Sequence, residues 1–276
     1  MVIAMLIIPV SDGIVKLLSD GHDILFLNWA RFFIGAVIFV PFAIRIHRRC
    51  QTQRQEFLSL SIRTLLHVCA VSLYFMAIAR IPLADAIGAY FVAPIAAILF
   101  AALLLDEKIT ALHIVALAAG FLGTILIVQP GTSTSIGMVY AVAAGVVFGL
   151  FLALTRKAGL TIDPIVTLGF QCGVGAILLL PFGLVLASPI GWTDGGLLIL
   201  CGAIWAIGHY TIILAFKFAS TSVLAPVVYV EIIGAAVVGY WIFGDVPNTL
   251  ASIGIAIVIV AGLFAQYTQG RRKTDG

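Results

Sequence analysis

The sequence predicts an all-α integral membrane protein of ten transmembrane helices, arranged as two inverted five-helix repeats. Three observations predict this. Of the 276 residues, 62% are hydrophobic and only 10% charged, with a mean hydropathy of +1.19, well beyond the roughly half-apolar make-up of soluble domains. The apolar residues come in long runs such as "AYFVAPIAAILFAALLL" and "IGIAIVIVAGLFAQY", each near the ~20 residues that cross ~30 Å of hydrocarbon as a helix, whereas a membrane barrel would alternate. Finally, the second half of the chain repeats the first.

Polar and Pro/Gly interruptions divide the chain into spans of about 2–19, 24–44, 63–80, 83–105, 110–128, 136–155, 164–187, 195–215, 219–243 and 248–268. The first pair meets at "SDGHD", and the second span runs out into the basic stretch "RIHRRC". The third opens at Arg63 after the polar "QTQRQE", the fourth stops at "DEK", the fifth at "QPG", the sixth at Arg156-Lys157 and the ninth at "GDVPN". Connections this short make neighbouring helices antiparallel. With no basic leader or small-residue cleavage site ahead of it, the first segment reads as a retained helix rather than a signal peptide.

Orientation follows from basic residues, which concentrate in cytoplasmic loops. A cytoplasmic N-terminus puts Arg45, Arg48, Arg49, Arg54, Arg63, Lys108, Arg156, Lys157, Lys217, Arg271, Arg272 and Lys273 inside and only Arg80 outside, with Lys16 and Arg31 within the membrane. Both termini are then cytoplasmic, in a cell membrane that is expected to be a bacterial inner membrane.

The repeat is visible as "NWARFFIGAVIFVPFA" (28–43) over "LGFQCGVGAILLLPFG" (168–183) at a shift of 140, which matches Gly35 with Gly175, Pro41 with Pro181 and Phe42 with Phe182. Asp23 meets Asp163 at the same shift, and "AIARIPLADA" lies over "AFKFASTSVL" at a shift of 138, as "DE" at 106 does over "GD" at 244. The chain therefore divides into a first five-helix unit, 1–130, a second, 136–268, and a cytoplasmic tail, 269–276. Five is odd, so the second unit enters the membrane from the opposite face, and inverted repeats are the arrangement by which secondary transporters rock about a midplane site.

The Arg in the second span, "AYFVAP" in the fourth, "LLLDEKIT" after it, "VYVE" in the ninth and the five-plus-five repeat together resemble the EamA-type branch of the drug/metabolite transporter superfamily over essentially the whole chain. The resemblance implies the fold and a transport function, with cargoes that range over amino acids, nucleotides, vitamins and drugs. Where relatives often read "EP", this chain has Ala93-Pro94 in one half and Glu231-Ile232 in the other. The halves therefore need not contribute identical sites.

Ionisable groups inside spans are costly unless paired or wet, so each is a functional candidate. Asp12 and Lys16 lie at i and i+4 on one face of the first helix. Asp12 and Arg31 each fall ~10 Å below the outer boundary at 1.5 Å per residue. Arg31 is expected to pair with Asp12 and leave Lys16 facing an outer cavity; a clamp that only holds the hairpin is the competing reading. Glu231 falls near the midplane with no cation at its depth, which suits exchange of a proton or of a cargo ammonium between access states. Tyr90 and Tyr229, near-equivalent in the repeat, and His209 with Tyr210 complete the cavity candidates, while Asp85 beside Arg80 and His67 read as interface residues. Gly88 and Pro226 match at the 138 shift, and with Pro94 they mark the fourth and ninth helices as candidate gates.

Four separated cysteines, Cys50, Cys69, Cys172 and Cys201, without CxxC spacing read as buried or tolerated thiols. The sequence holds no HExxH, Walker A loop or Ser/His/Asp set, so neither an enzyme nor an ATP-driven pump is indicated, and no metal or cofactor is implied. A net charge of +3 without a basic aromatic patch gives no support to a nucleic-acid partner. The expected partners are a small-molecule substrate and membrane lipid, with proton coupling resting on Glu231 and the protein acting as a monomer or homodimer. The expected function is secondary active transport of a small polar or zwitterionic metabolite, an amino acid or related compound, by alternating access; the alternative is a lipid-handling flippase component of the same fold.

Overall fold

The computed structural model describes residues 1–47, 54–78, 80–81, 86, 89–128, 136–244, 249–250 and 252–261. Every regular element among them is helical. In chain order these are α1 (Val2–Leu18), α2 (Ile24–His47), α3 (Arg54–Ile78), α4 (Ala93–Leu105), α5 (Ala111–Val128), α6 (Ile136–Gly159), α7 (Pro164–Leu178, with a short continuation Leu180–Val185), α8 (Trp192–Phe218), a broken helical passage α9 (Thr221–Phe243) and α10 (Ser252–Ala261). Five of them, within α2, α3, α6, α8 and α9, are long and apolar enough to cross a membrane, and the others are shorter apolar helices. Large apolar side chains such as Leu103, Val185 and Trp241 stand exposed on the outside, as a helix bundle set in lipid requires.

The sequence explains where these elements begin and end. Asp23 and Asp163 each accept a hydrogen bond from the backbone N–H two residues on, Leu25 and Ile165, both at 2.8 Å. The repeated aspartate is thus the N-terminal cap of α2 and of α7. After α4 and α9, Asp106 (φ 52°) and Gly244 (φ 74°) both sit in the left-handed region that terminates a helix, a conformation that glycine and aspartate tolerate best.

The third helix begins earlier than the sequence predicts. The polar stretch from Arg54 is already helical, so Arg63, expected at an inner end, lies nine residues inside α3 and is fully buried. The fourth and ninth passages are both broken, in different ways. Phe91 and Val92 form a turn, and Pro94 sits in the first turn of α4 rather than in its middle. There its missing N–H is not needed. Pro226 opens a 3-10 segment, Ala225–Val230, after which α9 resumes as α-helix at Glu231. Gly88 and Asp85 lie outside the described residues, as do Cys50 and the tail.

Packing pairs α2 with α7, α3 with α6, α1 with α8, α4 with α6, and α1 with α9. Small residues bring the backbones close. A Cβ on Gly35 would meet the Cys172 sulfur and one on Gly175 would meet the Phe32 ring; likewise Gly169 faces Ala43, and Gly183 faces Trp29. Gly234 abuts Pro9, and Gly149 abuts Ala96. Two ends can be told apart. A basic end carries Arg45, Arg156, Lys157 and Lys217, and the other end carries the α1–α2 turn with Asp20 and Asp23, where His22 contacts Ser188 and Asp194.

Candidate functional site

The site grows from the seam between α1 and α8. Ser11 is fully buried and donates to the Cys201 carbonyl at 3.1 Å, with the Cys201 sulfur at 3.2 Å. This contact fixes the rotation of α1 and sets the next residue, Asp12, toward α2. Arg31 donates from Nη1 to Asp12 Oδ1 at 2.6 Å and from Nη2 to Asn28 Oδ1 at 3.4 Å, and its guanidinium carbon lies 5.9 Å from the Trp205 ring centroid. The pair is lopsided: the Arg31 side chain is 7% exposed and that of Asp12 52%. A carboxylate so open keeps lone pairs for something besides its partner.

Lys16 does not join this pair. Its ammonium lies 3.9 Å from the centroid of the Phe243 ring at the end of α9, a cation–π contact between the first helix and the ninth.

On α9, Glu231 is the first residue of the resumed α-helix and is half-buried. Asp12 and Glu231 are close enough to interact electrostatically with each other and with the hydroxyls of Tyr74 and Tyr90. The rings of Tyr74 and Tyr90 are 5.1 Å apart, and Tyr90 is 5.5 Å from Phe148. Two acids, one cation and an aromatic wall thus share one part of the bundle.

Tyr229 is placed otherwise than expected. It is fully buried, packed on Gly120, with its hydroxyl donating to the Phe91 carbonyl at 3.4 Å and its ring 5.7 Å from that of Phe91. It ties the break of α9 to the turn before α4 instead of lining an opening. The reason is the 3-10 segment, whose tighter winding carries residue 229 inward ahead of Glu231. Tyr210 is half-buried against Phe39, at 6.1 Å between rings.

His209 lies deeper, in a polar cluster that the sequence only partly reveals. Its ring is 4.4 Å from Trp205 and 4.9 Å from His67, and its Nδ1 is 3.5 Å from Gln171 Nε2. His67, expected at an interface, is 2% exposed and neither ring nitrogen has a hydrogen-bond partner. One turn before it on α3, Arg63 donates from Nε to Thr155 Oγ1 at 2.8 Å, and its guanidinium carbon stands 4.6 Å from the Phe151 ring centroid. The i, i+4 spacing of Arg63 and His67 is the available sequence signal; placing Arg63 at a helix end conceals it.

At the basic end, the Glu107 carboxylate accepts from the backbone N–H groups of Thr221 (3.0 Å) and Ser222 (3.1 Å) and from the Ser222 hydroxyl (3.3 Å). Arg156 approaches it at 3.6 Å and donates to the Phe216 carbonyl at 2.6 Å. This network ties the segment after α4 and the end of α6 to the start of α9. Among the described residues no group of three His, Cys, Asp or Glu side chains is placed to hold a metal.

The profile of the EamA-like transporter family matches residues 1–129 and again 135–266. Similar proteins include an S-adenosylmethionine uptake transporter of Rickettsia prowazekii, 21% identical over 96% of this chain and 90% of its own. A pseudopaline exporter of Pseudomonas aeruginosa is 29% identical over 78% of this chain and 77% of its own, and a riboflavin transporter of Vibrio cholerae is 24% identical over 87% and 82%. A crystal structure at 17% identity superposes on 98% of this chain and 96% of its own with a TM-score of 0.81, which speaks to the fold alone.

Proposed function

The chain belongs to the EamA-like transporter family, multi-pass membrane transporters of small metabolites rather than enzymes, and we propose that it moves a zwitterionic metabolite, an amino acid or related compound, by alternating access. The observation that carries this reading is the charge pattern at the opening. Asp12 is half-exposed beside Arg31, Glu231 stands nearby, and Tyr74, Tyr90 and Trp205 supply rings. A cargo ammonium meets carboxylates there, its carboxylate meets a guanidinium, and an apolar side chain meets aromatic faces.

An arrangement of two inverted five-helix units supports the mechanism. Pairs of contacts exchange under the repeat: Gly35 with Cys172 and Phe32 with Gly175, Ala43 with Gly169 and Trp29 with Gly183, Pro9 with Gly234 and Ala96 with Gly149. At the helix level α1 meets α8 and α9 while α6 meets α3 and α4. Such reciprocity is what a two-fold axis generates, and an axis in the membrane plane gives the bundle two equivalent packings, one open to each side. The present arrangement is open where Asp12 is exposed and closed where Glu107 caps α9. With the basic end cytoplasmic, it faces outward, in a bacterial inner membrane with both termini inside. Glu231, without a pairing cation among the described residues, is the group through which a proton couples to the cycle.

Counterflow in proteoliposomes with labelled amino acids, nucleosides and vitamins tests the reading. Exchange of one or more amino acids that is lost in Asp12→Asn is the expected result. Exchange confined to the other classes, or lipid scrambling without soluble exchange, refutes the substrate class.

A further inference from the structure

The described structure leaves a cation stranded in the middle of the bundle. Arg63 is fully buried, and although its Nε is satisfied by Thr155, neither Nη1 nor Nη2 has a hydrogen-bond partner. No carboxylate among the described residues is paired with it. An arginine at membrane depth is retained when an anion, water or a backbone oxygen answers it, and buried polar atoms left unanswered mark a place where a partner is missing from view. Arg63 is not alone. Both ring nitrogens of His67 and the Gln171 Oε1 are also buried and unpartnered. Four of these five atoms are nitrogens, and even with a neutral imidazole three of them donate, so the set favours an acceptor-rich, negatively charged guest.

We propose that Arg63, His67, His209 and Gln171 form an anion subsite that receives the carboxylate of the cargo at a position deeper than the Asp12–Arg31 pair. The guanidinium is held in place on two sides, since Thr155 fixes its Nε and Phe151 backs its face. The two free Nη groups then form a planar fork of the kind that grips a carboxylate with two parallel bonds. His67 extends the donor set one helical turn along α3, and His209 and Gln171 bring in α8 and α7. A continuous ring wall leads there from the opening, from Tyr90 to Phe148 at 5.5 Å and from Phe148 to His67 at 6.1 Å. From the other side, Trp205 lies between Arg31 and His67. The cargo therefore meets two guanidinium stations in sequence, an outer one already half-neutralised by Asp12 and an inner one that is not. Occupation of the inner station brings α3, α7 and α8 onto one ligand, and its binding energy favours an occluded arrangement around it.

This inference rests on the proposed transport of a carboxylate-bearing metabolite, and its test separates the two. Purified full-length protein is melted in detergent at constant chloride with matched acid and amide probes: glycine and glycinamide, phenylalanine and phenylalaninamide, benzoate and benzamide. At least one acid is expected to raise Tm in a dose-dependent manner while its amide does not, and Arg63→Gln is expected to lose at least tenfold in apparent affinity for that acid while Lys157→Gln, which removes an exposed cation at the basic end, keeps the acid–amide preference. The proposal is overturned if no acid stabilises the wild type, if amides act equally, if Arg63→Gln retains the preference, or if chloride titration alone reproduces the shift. Should Arg63→Gln not fold, Gln171→Leu and the wild-type acid–amide comparison carry the same decision. Counterflow with the same probes completes the separation: an acid bound through Arg63 but never exchanged leaves the subsite and removes the transport reading. A cargo exchanged equally as acid and amide leaves transport and removes the subsite.

Discussion

Removing the Glu107 carboxylate tests the proposal that its network holds the basic end shut. In Glu107→Ala, the N–H groups of Thr221 and Ser222 lose their acceptor, the Ser222 hydroxyl loses another, and Arg156 loses its nearest anion. Loss of a helix N-cap costs about 1 kcal/mol, and a hydrogen bond to a charged group contributes about 1.5–3 kcal/mol. The ion pair itself adds less than about 1 kcal/mol, because its approach is a long 3.6 Å and Arg156 also donates to the Phe216 and Lys217 carbonyls. These terms overlap, and a central value of about 3 kcal/mol moves the open-to-closed ratio at that end by about two powers of ten. Glu107→Gln keeps an acceptor oxygen and should shift the ratio by about half as much in free energy. The assay is a spin-label distance between Lys108→Cys and Phe218→Cys, both exposed positions flanking the contact, with the native cysteines replaced. Wild type should give one short, narrow distribution, the alanine variant a dominant longer one, and the glutamine variant a mixture. An alanine variant with the wild-type distribution refutes the view that this network closes the end.

Four further outcomes rest on the same geometry. Asp12→Asn leaves the Arg31 guanidinium, 7% exposed, with only a neutral acceptor, and should lower exchange at least tenfold in proteoliposomes while Tm falls by only a few degrees. Replacing Asp12 with Arg and Arg31 with Asp together restores exchange fully only if the pair is a hairpin clamp and nothing more. Glu231→Gln should fold, exchange cargo, and flatten the pH profile of uptake; a profile that keeps its wild-type shape removes Glu231 from proton coupling. Gly175→Ala drives a methyl into the Phe32 ring at the α2–α7 seam and should destabilise by about 1–3 kcal/mol, read as a lower Tm with unchanged cargo selectivity.

The features that sequence reading recovers depend on one-dimensional signals. Apolar run length finds the helices, and the 140-residue shift finds the paired Asp23 and Asp163, whose shared role as caps explains why both halves hold one. Equal depth along the first two helices pairs Asp12 with Arg31, as their 2.6 Å contact does in the structure. Depth counting fails where a helix extends beyond its greasy part. The polar stretch from Arg54 hides the start of α3, and with it the burial of Arg63 and His67. Tyr229 departs from expectation because a 3-10 segment changes the angle per residue, so position along α9 no longer gives the direction a side chain takes. The convergence of Gln171, His209 and Arg63 involves three helices and is a tertiary fact without a local signature.

The contact between Phe91 and Tyr229 has a kinetic meaning for the proposed cycle. The residues are 138 apart, the repeat shift, so under the proposed inverted repeat each touches its own counterpart, and a point that coincides with its image lies on the axis. On a seesaw that is the fulcrum, where displacement is smallest while the ends travel farthest. A change there alters the height of the barrier more than the balance between the two sides, and it slows or speeds both directions of exchange together. The fulcrum is nevertheless imperfect, because Tyr229 donates a hydroxyl and Phe91 has none to return. The two orientations of such a carrier are therefore mechanically alike but chemically distinguishable at their common centre.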